Sequence, residues 1–372
     1  MPGILHITDP SATSDHGVHR VCARVGDLPV WFESAESALV PAPEAFAGAF
    51  LIPALARSAR LEMEAAVCPQ WHSHLPKILQ IVHDWWGYPP ILPQLRTETA
   101  VPSPGRATGL CFSGGVDSFY SLLRSAAPIQ HLVYIHGFDI ALDDTARMAA
   151  FEPGLRRVAA ETGTKLTLIR TNLRQFPEFT GPRWEHTHGG ALAAVGHLMR
   201  GSLDKYLISA SYPYKDGHPW GSHFTLDPLW SSRSLEIVHF GATHYRSEKL
   251  QALADEPLVQ AHLRVCWENR TAALNCSRCE KCVRTQLALA SWGKLEAFTV
   301  FDRQVALAEA VDALPRISNP NLIVVYEAFL TDELQPEVAR ALRRLLARSR
   351  RAVRLDRWKG PMRRLRSLAR GR

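Results

Sequence analysis

The sequence predicts an α/β protein whose central feature is a parallel five-stranded sheet with helices on both faces. From residue 107 onward, short apolar runs alternate with stretches of helical periodicity. The runs lack the polar alternation of a half-exposed strand, which is typical of strands buried on both faces. Because helices separate them, the strands are expected to run parallel. The five strand candidates are residues 108–112, 132–136, 165–171, 206–210 and 235–241.

Helical stretches connect these strands at residues 118–125, 142–162 and 189–200, and Gly163 is the expected C-terminal stop of the second. In an open parallel sheet, ligands bind at the carboxyl ends of the strands, where the strand order reverses. The turns that follow the strands are therefore where we expect the site residues.

A small α+β accessory domain is predicted ahead of this sheet, over residues 1–104. Residues 1–16 read as a frayed polar segment, and a hairpin of strands 19–25 and 28–33 is expected around Gly26-Asp27. Its other predicted elements are strands at 61–67 and 91–99 and helices at 43–59 and 69–86. Residues 105–290 form the second predicted domain. Residues 291–372 form the third, which is expected to be helical, with clear helices at 303–314 and 336–350.

Composition indicates a globular protein that works inside the cell. Of the 372 residues, 46% are hydrophobic, and no apolar run approaches the roughly 18 residues that span a bilayer. The N-terminus lacks a basic region followed by an apolar stretch, so it does not predict a secretory signal. The cysteines number seven, an odd count, and four of them crowd together, which favours a reduced, cytoplasmic compartment and a metal.

The positive charge is concentrated in one segment. Residues 337–372 hold fourteen Lys and Arg against two acids, a net charge of +12, so the rest of the chain carries −5 of the overall +7. Any binding of a polyanion, such as RNA or DNA, is therefore expected from this Arg-rich tail. The default interpretation of the tail is a solvated segment without a partner.

The turn after the first strand has the composition of a phosphate-binding site. It reads Ser113-Gly114-Gly115-Val116-Asp117-Ser118 and leads into an amphipathic helix. Strand, glycine turn and helix is the arrangement that directs backbone N–H groups and the positive end of a helix toward an anion. Asp117 would face the phosphates through a hard cation such as Mg²⁺. We therefore expect Asp117 and Ser113 to act in catalysis.

The residues after the second strand are expected to lie beside this turn. His136, Gly137 and Phe138 occupy that position, and we expect them to form a shelf for a nucleobase, mainly through their main-chain groups. Residues 211–233 form a long insertion after the fourth strand, and loops of this length are commonly lids or binding loops. Within this insertion, Lys215 and His223 are candidates for general acid–base catalysis on a planar or carbonyl-bearing substrate.

Four cysteines predict a metal centre. Cys266, Cys276, Cys279 and Cys282 lie within seventeen residues, and the last three are spaced as C-x2-C-x2-C. Four thiolates can enclose one tetrahedral ion, which favours structural Zn²⁺. An iron–sulfur cluster stays open, because the same spacing occurs in ferredoxins.

The phosphate turn resembles a known family. All six residues of Ser113–Ser118 match the PP-loop of the ATP pyrophosphatase superfamily, whose domain is Rossmann-like, of the HUP or adenine nucleotide alpha hydrolase-like class. The resemblance implies that Ser113, Gly114, Gly115, Val116, Asp117 and Ser118 bind the β- and γ-phosphates of ATP. It also implies that a substrate oxygen attacks the α-phosphorus, which gives an adenylated intermediate and pyrophosphate.

A PP-loop followed by a four-cysteine knuckle narrows this resemblance to the 7-cyano-7-deazaguanine synthase (ExsB-like) branch, over residues 107–289. Those enzymes use ATP to activate a carboxylate and then add ammonia. The chain departs from the branch at His136-Gly137-Phe138-Asp139, where the family has an FDYGQ-like signature, and it has no GYPDC-like segment. We therefore expect related chemistry on a different acceptor.

Two functions follow as hypotheses. The first is an ATP-dependent ligase that activates a carboxylate or carbonyl oxygen of a small, nucleobase-like acceptor for attack by ammonia or a sulfur donor. The second is a nucleic-acid-binding or nucleic-acid-modifying protein that uses the zinc knuckle and the basic tail. Both are compatible with a homo-oligomer.

Overall fold

A computed structural model describes residues 3–98, 106–180 and 183–369, with side chains as far as Arg354. The chain divides into two units, Met1–Ala252 and Leu253–Arg372. The first unit contains both the predicted accessory domain and the five predicted strands that follow it. The predicted boundary near residue 104 falls within residues that the structure does not describe, and the three-domain division stays a prediction.

The first unit is organised around one mixed sheet of eleven strands. In chain order these are β1 (Gly3–Ile7), β2 (Ser11–Asp15), β3 (Val18–Val25), β4 (Leu28–Ser34), β5 (Ala59–Val67), β6 (Gln94–Thr97), β7 (Thr108–Cys111), β8 (His131–His136), β9 (Lys165–Thr171), β10 (Lys205–Ser209) and β11 (Glu236–Phe240). The α/β class is thus confirmed. The sheet itself is larger than the predicted five strands, and it is mixed rather than purely parallel.

Five neighbouring strands of this sheet, in the order β11-β10-β7-β8-β9, pair in parallel. The sheet continues past β9 because β4 pairs antiparallel with it, placing Phe32 opposite Thr171. Beyond β4 follow β3, β1, β5 and β6, and β2 pairs with β3. The expected hairpin is present, with Val25 opposite Leu28.

The expectation of a frayed segment over residues 1–16 is wrong for the described part, which contains β1 and β2. Strand β1 runs parallel to β5 and buries Ile7. Strand β2 has every side chain exposed and is held by its backbone pairing with β3. The sequence of such a strand has no hydrophobic alternation, because none of its side chains is buried. Backbone hydrogen bonds to the neighbouring strand order it instead.

The helices of the first unit are α1 (Pro43–Ala56), α2 (Pro69–Trp86), α3 (Val116–Arg124), α4 (Thr145–Thr162), α5 (Trp184–Leu198) and α6 (Arg246–Leu253). Helix α4 ends at Gly163 with a positive φ of 65°, as predicted. Helices α1 and α5 pack closely, since a Cβ on Gly190 would lie 2.6 Å from the Gly48 carbonyl oxygen. The close approach of α1 and α5 therefore requires glycine at position 190.

The second unit is helical. Its helices are α7 (Pro257–His262), α8 (Glu280–Ser291), α9 (Leu307–Ala313), α10 (Pro320–Glu327) and α11 (Pro336–Ala369). Helix α11 contains the predicted helix 336–350, and its apolar side chains there, including Leu342 and Leu345, are buried. Within the described ranges, no helix combines the length and the apolar character needed to cross a bilayer.

Candidate functional site

The glycine turn lies between β7 and α3, as the sequence predicts. Gly114 has a φ of 74°, a conformation that glycine adopts at little cost, and Gly115 is the N-cap of α3. Ser118 Oγ donates to the Gly115 carbonyl at 3.0 Å, and Gly115 N–H donates weakly to Ser113 Oγ at 3.4 Å. Among the described residues no side chain caps the helix N-terminus. The turn therefore has the backbone shape of an anion-binding site.

Asp117 is the counter-ion of two basic side chains in this structure. Arg246 Nη1 donates to Asp117 Oδ2 at 2.8 Å, and Lys249 Nζ donates to Asp117 Oδ1 at 3.2 Å. Lys249 is 1% exposed and also donates to the Ala210 carbonyl at 2.6 Å. The two cations and one carboxylate leave a local charge of +1 beside the glycine turn, which favours an anionic ligand.

Sequence reasoning missed Arg246 and Lys249. Both lie on α6, which follows β11, and they are three residues apart, so they share one face of the helix. Their position in the chain could have indicated them. A helix that follows a parallel strand begins at the carboxyl edge of the sheet, and ligands bind at that edge. Their distance from Ser113–Ser118 along the chain concealed the relationship.

The predicted nucleobase shelf lies at the end of β8. Gly137 has a φ of 108°, and a Cβ there would lie 2.1 Å from the Thr171 carbonyl oxygen, so only glycine fits. Gly137 N–H donates to the Ile140 carbonyl at 2.9 Å, and the Phe138 carbonyl accepts from Arg174 Nη1 at 2.9 Å. These two main-chain groups already have partners within the protein.

His136 is also engaged within the protein. Its Nε2 lies 3.0 Å from the Ala141 carbonyl, so Nε2 carries the hydrogen and donates. Burial lowers the pKa of His136, which keeps the ring neutral at pH 7. A role for His136, Gly137 and Phe138 in holding a nucleobase stays a prediction.

Lys215 is exposed on a short 3-10 turn, Tyr214–Asp216. Its Nζ lies 4.3 Å from the centre of the Tyr245 ring, a cation–π contact. Tyr245 immediately precedes Arg246, so the contact brings Lys215 to the start of α6. The structure thus places this predicted catalytic residue beside the newly found cations rather than against the glycine turn itself.

His223 is buried, with 7% of its surface exposed. Its Nδ1 accepts from Thr225 N–H at 3.1 Å, so Nε2 carries the ring hydrogen. Nε2 is buried and has no hydrogen-bond partner among the described residues. Burial, together with the nearby charge of His239, lowers the pKa of His223 to about 4, so the ring is a neutral donor at pH 7.

Asp227 joins several polar groups around His223. It is fully buried and accepts from Ser222 Oγ at 2.7 Å and from the His223 N–H at 3.2 Å. His239 Nδ1 lies 2.7 Å from the Asp227 carboxylate, and His188 Nε2 accepts from the Ser222 N–H at 3.2 Å. Sequence reasoning missed His239, because it lies within β11 and reads as a strand residue.

A small pocket opens beside this cluster, and its free interior is about the size of one water molecule. Its walls include both rings of the pair His223 and His239, and aromatic side chains from the insertion. The other side chains lining it are Tyr212, Pro213, His218, Ser222 and Phe224. The pocket thus combines ring nitrogens with apolar edges.

The four predicted metal ligands converge in the second unit. All four cysteines are buried, and their sulfur atoms lie within 4.8 Å of one another. Cys266 and Cys279 sulfurs are 3.9 Å apart, and those of Cys276 and Cys282 are 4.0 Å apart. A tetrahedral ion with Zn–S bonds of ~2.3 Å requires sulfurs separated by ~3.8 Å. The cluster therefore has the size and the donor set of a metal site and is compatible with zinc.

The local chain explains how the cysteines meet. Ser277 has a φ of 57°, which turns the chain back so that Cys279 N–H donates to Cys276 Sγ at 3.2 Å. Cys279 is the N-cap of α8, and Cys282 lies in its first turn. The neighbouring thiols Cys266 and Cys279 raise the pKa of Cys282, so without an ion the cluster retains protons that a metal would displace.

No family model, no curated protein and no solved structure matches the chain.

Proposed function

We propose that the protein is an ATP-dependent adenylating enzyme that forms AMP and pyrophosphate, with ATP held at Ser113–Ser118. The observation that carries the proposal is the glycine turn at the start of α3, with Gly114 at positive φ and two cations within hydrogen-bond distance of Asp117. An uncapped helix N-terminus and a net positive charge favour a polyphosphate.

The strand order supports this location. From β7 the chain proceeds to β8 and β9 on one side of the sheet, and then returns to place β10 and β11 on the other. The turn after β7 therefore lies at the switch point of the five parallel strands, where ligands of such sheets bind. The order β9-β8-β7-β10-β11 is the feature that favours a Rossmann-like, HUP-type domain within the larger sheet.

Arg246 and Lys249 are proposed to provide the positive charge that binds the phosphates. Both cations can transfer their hydrogen bonds from Asp117 to phosphate oxygens and so stabilise the charge on departing pyrophosphate. Release from these cations leaves Asp117 available as an oxygen ligand. Asp117 would then be the residue that holds Mg²⁺, which would supply positive charge to offset that of the phosphates.

The acceptor is proposed to be a small molecule with a carboxylate or carbonyl oxygen. That oxygen attacks the α-phosphorus, pyrophosphate leaves, and ammonia or a sulfur donor then displaces AMP. The cysteine cluster is proposed to hold structural zinc, since four sulfur ligands leave no open position for a substrate. A nucleic-acid role for the basic tail is the competing hypothesis.

The test has two stages. Calorimetry should detect binding of ATP in the presence of Mg²⁺, and Asp117→Ala and Lys249→Ala should weaken it at least tenfold. Asp216→Ala, an exposed aspartate on a loop, is the matched control and should bind as the wild type does. AMP formation is then measured with a panel of carboxylic acids and ammonium.

A variant that ends at residue 354 separates the two hypotheses. The enzyme hypothesis expects ATP binding and AMP formation to survive this deletion, because none of the residues proposed to hold ATP lies beyond Lys249. AMP formation that requires added RNA would favour the nucleic-acid hypothesis. Absence of ATP binding by the wild-type protein would overturn the enzymatic proposal.

A further inference from the structure

One face of helix α11 belongs to the core of the second unit. Leu342, Leu345 and Ala352 are buried there. Ser349 lies on the same face, and its Oγ accepts from the Ile317 N–H at 2.9 Å. These four positions of α11 are three or four residues apart, so they form a single line along the helix, which we call the buried line.

The opposite face of this part of α11 is charged. Arg340, Arg344 and Arg351 are all exposed. They are four and then seven residues apart, close to one and two helical turns, so they form a second line along the helix. Arg344 is two residues from Leu342, which places the two lines about 200° apart around the helix axis. The first half of α11 is therefore apolar toward the core and charged on the opposite side.

After residue 354 the sequence of the charged line becomes apolar. From Arg351, steps of four, three, four and three residues lead to Leu355, Trp358, Met362 and Leu365. We call these four positions the apolar stripe. Helix α11 extends past the last of them, to residue 369, so the steps follow one helix. The apolar stripe therefore continues the line that lies opposite the core in the first half of α11.

The sequence of the buried line changes in the opposite sense. From Ala352, steps of three or four residues lead to Asp356, Gly360, Arg363 and Ser367. None of these positions carries an apolar side chain, so the second half of α11 lacks the pattern that packs the first half against the core. The apolar stripe is consequently not an extension of that core, and it requires a different apolar environment.

The charge around the apolar stripe restricts what that environment can be. Residues 351–372 contain nine Lys and Arg and a single acid, Asp356, a net charge of +8. Pairing with the same segment of a second copy would bring two such charges together, which like-charge repulsion opposes. The phosphates of a nucleic acid would attract the cations but would leave the apolar stripe in water. An anionic surface with an apolar layer directly beneath it satisfies both features.

We propose that the second half of α11, residues 355–369, binds the surface of a membrane that contains anionic lipids. The apolar stripe enters the boundary between headgroups and acyl chains, and the Lys and Arg residues attract the anionic headgroups. A basic helix with Trp and Leu along one side has the composition of a helix that lies in this interface. Pro361 lacks an N–H, and the backbone carbonyl that it leaves without a donor can accept from water there. The proposal is independent of the proposed ATP site.

The test is co-sedimentation of the full chain with vesicles at physiological ionic strength. One set of vesicles contains phosphatidylcholine alone, and the other contains equal parts of phosphatidylcholine and phosphatidylglycerol. We expect binding to the anionic vesicles to be at least about tenfold tighter, because each cation near an anionic surface adds attraction.

Trp358→Gln combined with Leu365→Gln removes half of the apolar stripe and no charge. This variant should bind anionic vesicles at least about tenfold more weakly than the wild type, since less apolar surface leaves water. The matched control is Ile4→Gln combined with Val324→Gln, at positions that are 60% and 63% exposed elsewhere in the chain. The control should bind as the wild type does.

Arg363→Gln combined with Arg364→Gln removes two charges and retains the apolar stripe. We expect at least about tenfold weaker binding to anionic vesicles. Arg340→Gln combined with Arg343→Gln removes the same charge from the first half of α11. Those positions lie on the order of 30 Å farther back along the helix, beyond the Debye length of about 8 Å, so the effect should be less than about threefold.

A single-stranded RNA oligonucleotide, titrated in parallel by fluorescence anisotropy, tests the competing ligand. RNA binding that the Trp358→Gln and Leu365→Gln variant retains, together with no binding of vesicles, would assign the segment to nucleic acid and overturn the proposal. Equal binding to both kinds of vesicle, or wild-type binding by that variant, would also overturn it. The measurement uses neither ATP nor an acceptor, so its failure would leave the proposed adenylating function unaffected.

Discussion

Lys249 Nζ lies 3.2 Å from Asp117 Oδ1, at the first turn of α3, and the Lys249 side chain is 1% exposed. A buried ammonium group needs a compensating charge, and Asp117 supplies it together with the Ala210 carbonyl. The carboxylate that the sequence predicts as a Mg²⁺ ligand is thus also a structural counter-ion. Binding of a polyphosphate here must exchange one set of ionic contacts for another.

Asp117→Asn should destabilise the first unit, because it leaves the Lys249 ammonium buried without a counter-ion. We expect a loss of about 3 kcal/mol in the free energy of unfolding, measured by urea denaturation. Adding Lys249→Met to this variant should recover part of the loss, since the uncompensated charge is then gone. Asp216→Asn should unfold as the wild type does, and an equally stable Asp117→Asn protein would contradict the assigned ion pair.

The sequence predicts both ends of all five parallel strands within one residue, because buried apolar runs and glycine turns are local signals. It also predicted correctly that Ser113–Gly115 form the turn between a strand and a helix, although the helix begins at Val116, two residues earlier than expected. It could not predict that β4 pairs with β9, since no local pattern encodes which edge strand will join a sheet. Lys249 and His239 were missed for the same reason: their partners Asp117 and Asp227 are brought close only by the tertiary fold.

Gly137→Ala should be strongly destabilising. An alanine Cβ would lie 2.1 Å from the Thr171 carbonyl oxygen, at a φ of 108° that L-residues avoid, and the obstacle is backbone rather than a flexible side chain. We expect a cost above ~3 kcal/mol by urea unfolding. The matched control is Gly163→Ala, whose φ is 65° and whose Cβ would meet nothing within 4 Å. It should cost only about 1 kcal/mol, and equal costs would contradict the close β8–β9 contact.

The cysteine cluster predicts about one metal ion per chain, bound by four sulfurs. Elemental analysis of the purified protein should find zinc, and cobalt substitution should give the visible absorption of a tetrahedral four-sulfur site. Cys282→Ser should lose the metal and destabilise the second unit, because the ion contributes folding energy. Cys22 lies in β3, outside the cluster, so the Cys22→Ser variant should retain the metal. Iron with inorganic sulfide in place of zinc would favour the iron–sulfur alternative.

Acid should weaken the first unit through His223. Its pKa is lowered from 6.5 to about 4 by burial first and then by the charge of His239, so below pH 6.5 the unfolded chain takes up a proton that the folded ring refuses. Stability is therefore full above pH 6.5 and falls as the pH drops toward 4. The loss should be on the order of 2–3 kcal/mol, because one pKa unit corresponds to about 1.4 kcal/mol. His223→Gln removes this component, so urea unfolding across pH 4–7 should give a shallower decline than the wild type, whereas His16→Gln should follow the wild-type curve. Parallel curves for wild type and His223→Gln would show that His223 is not held neutral by the fold.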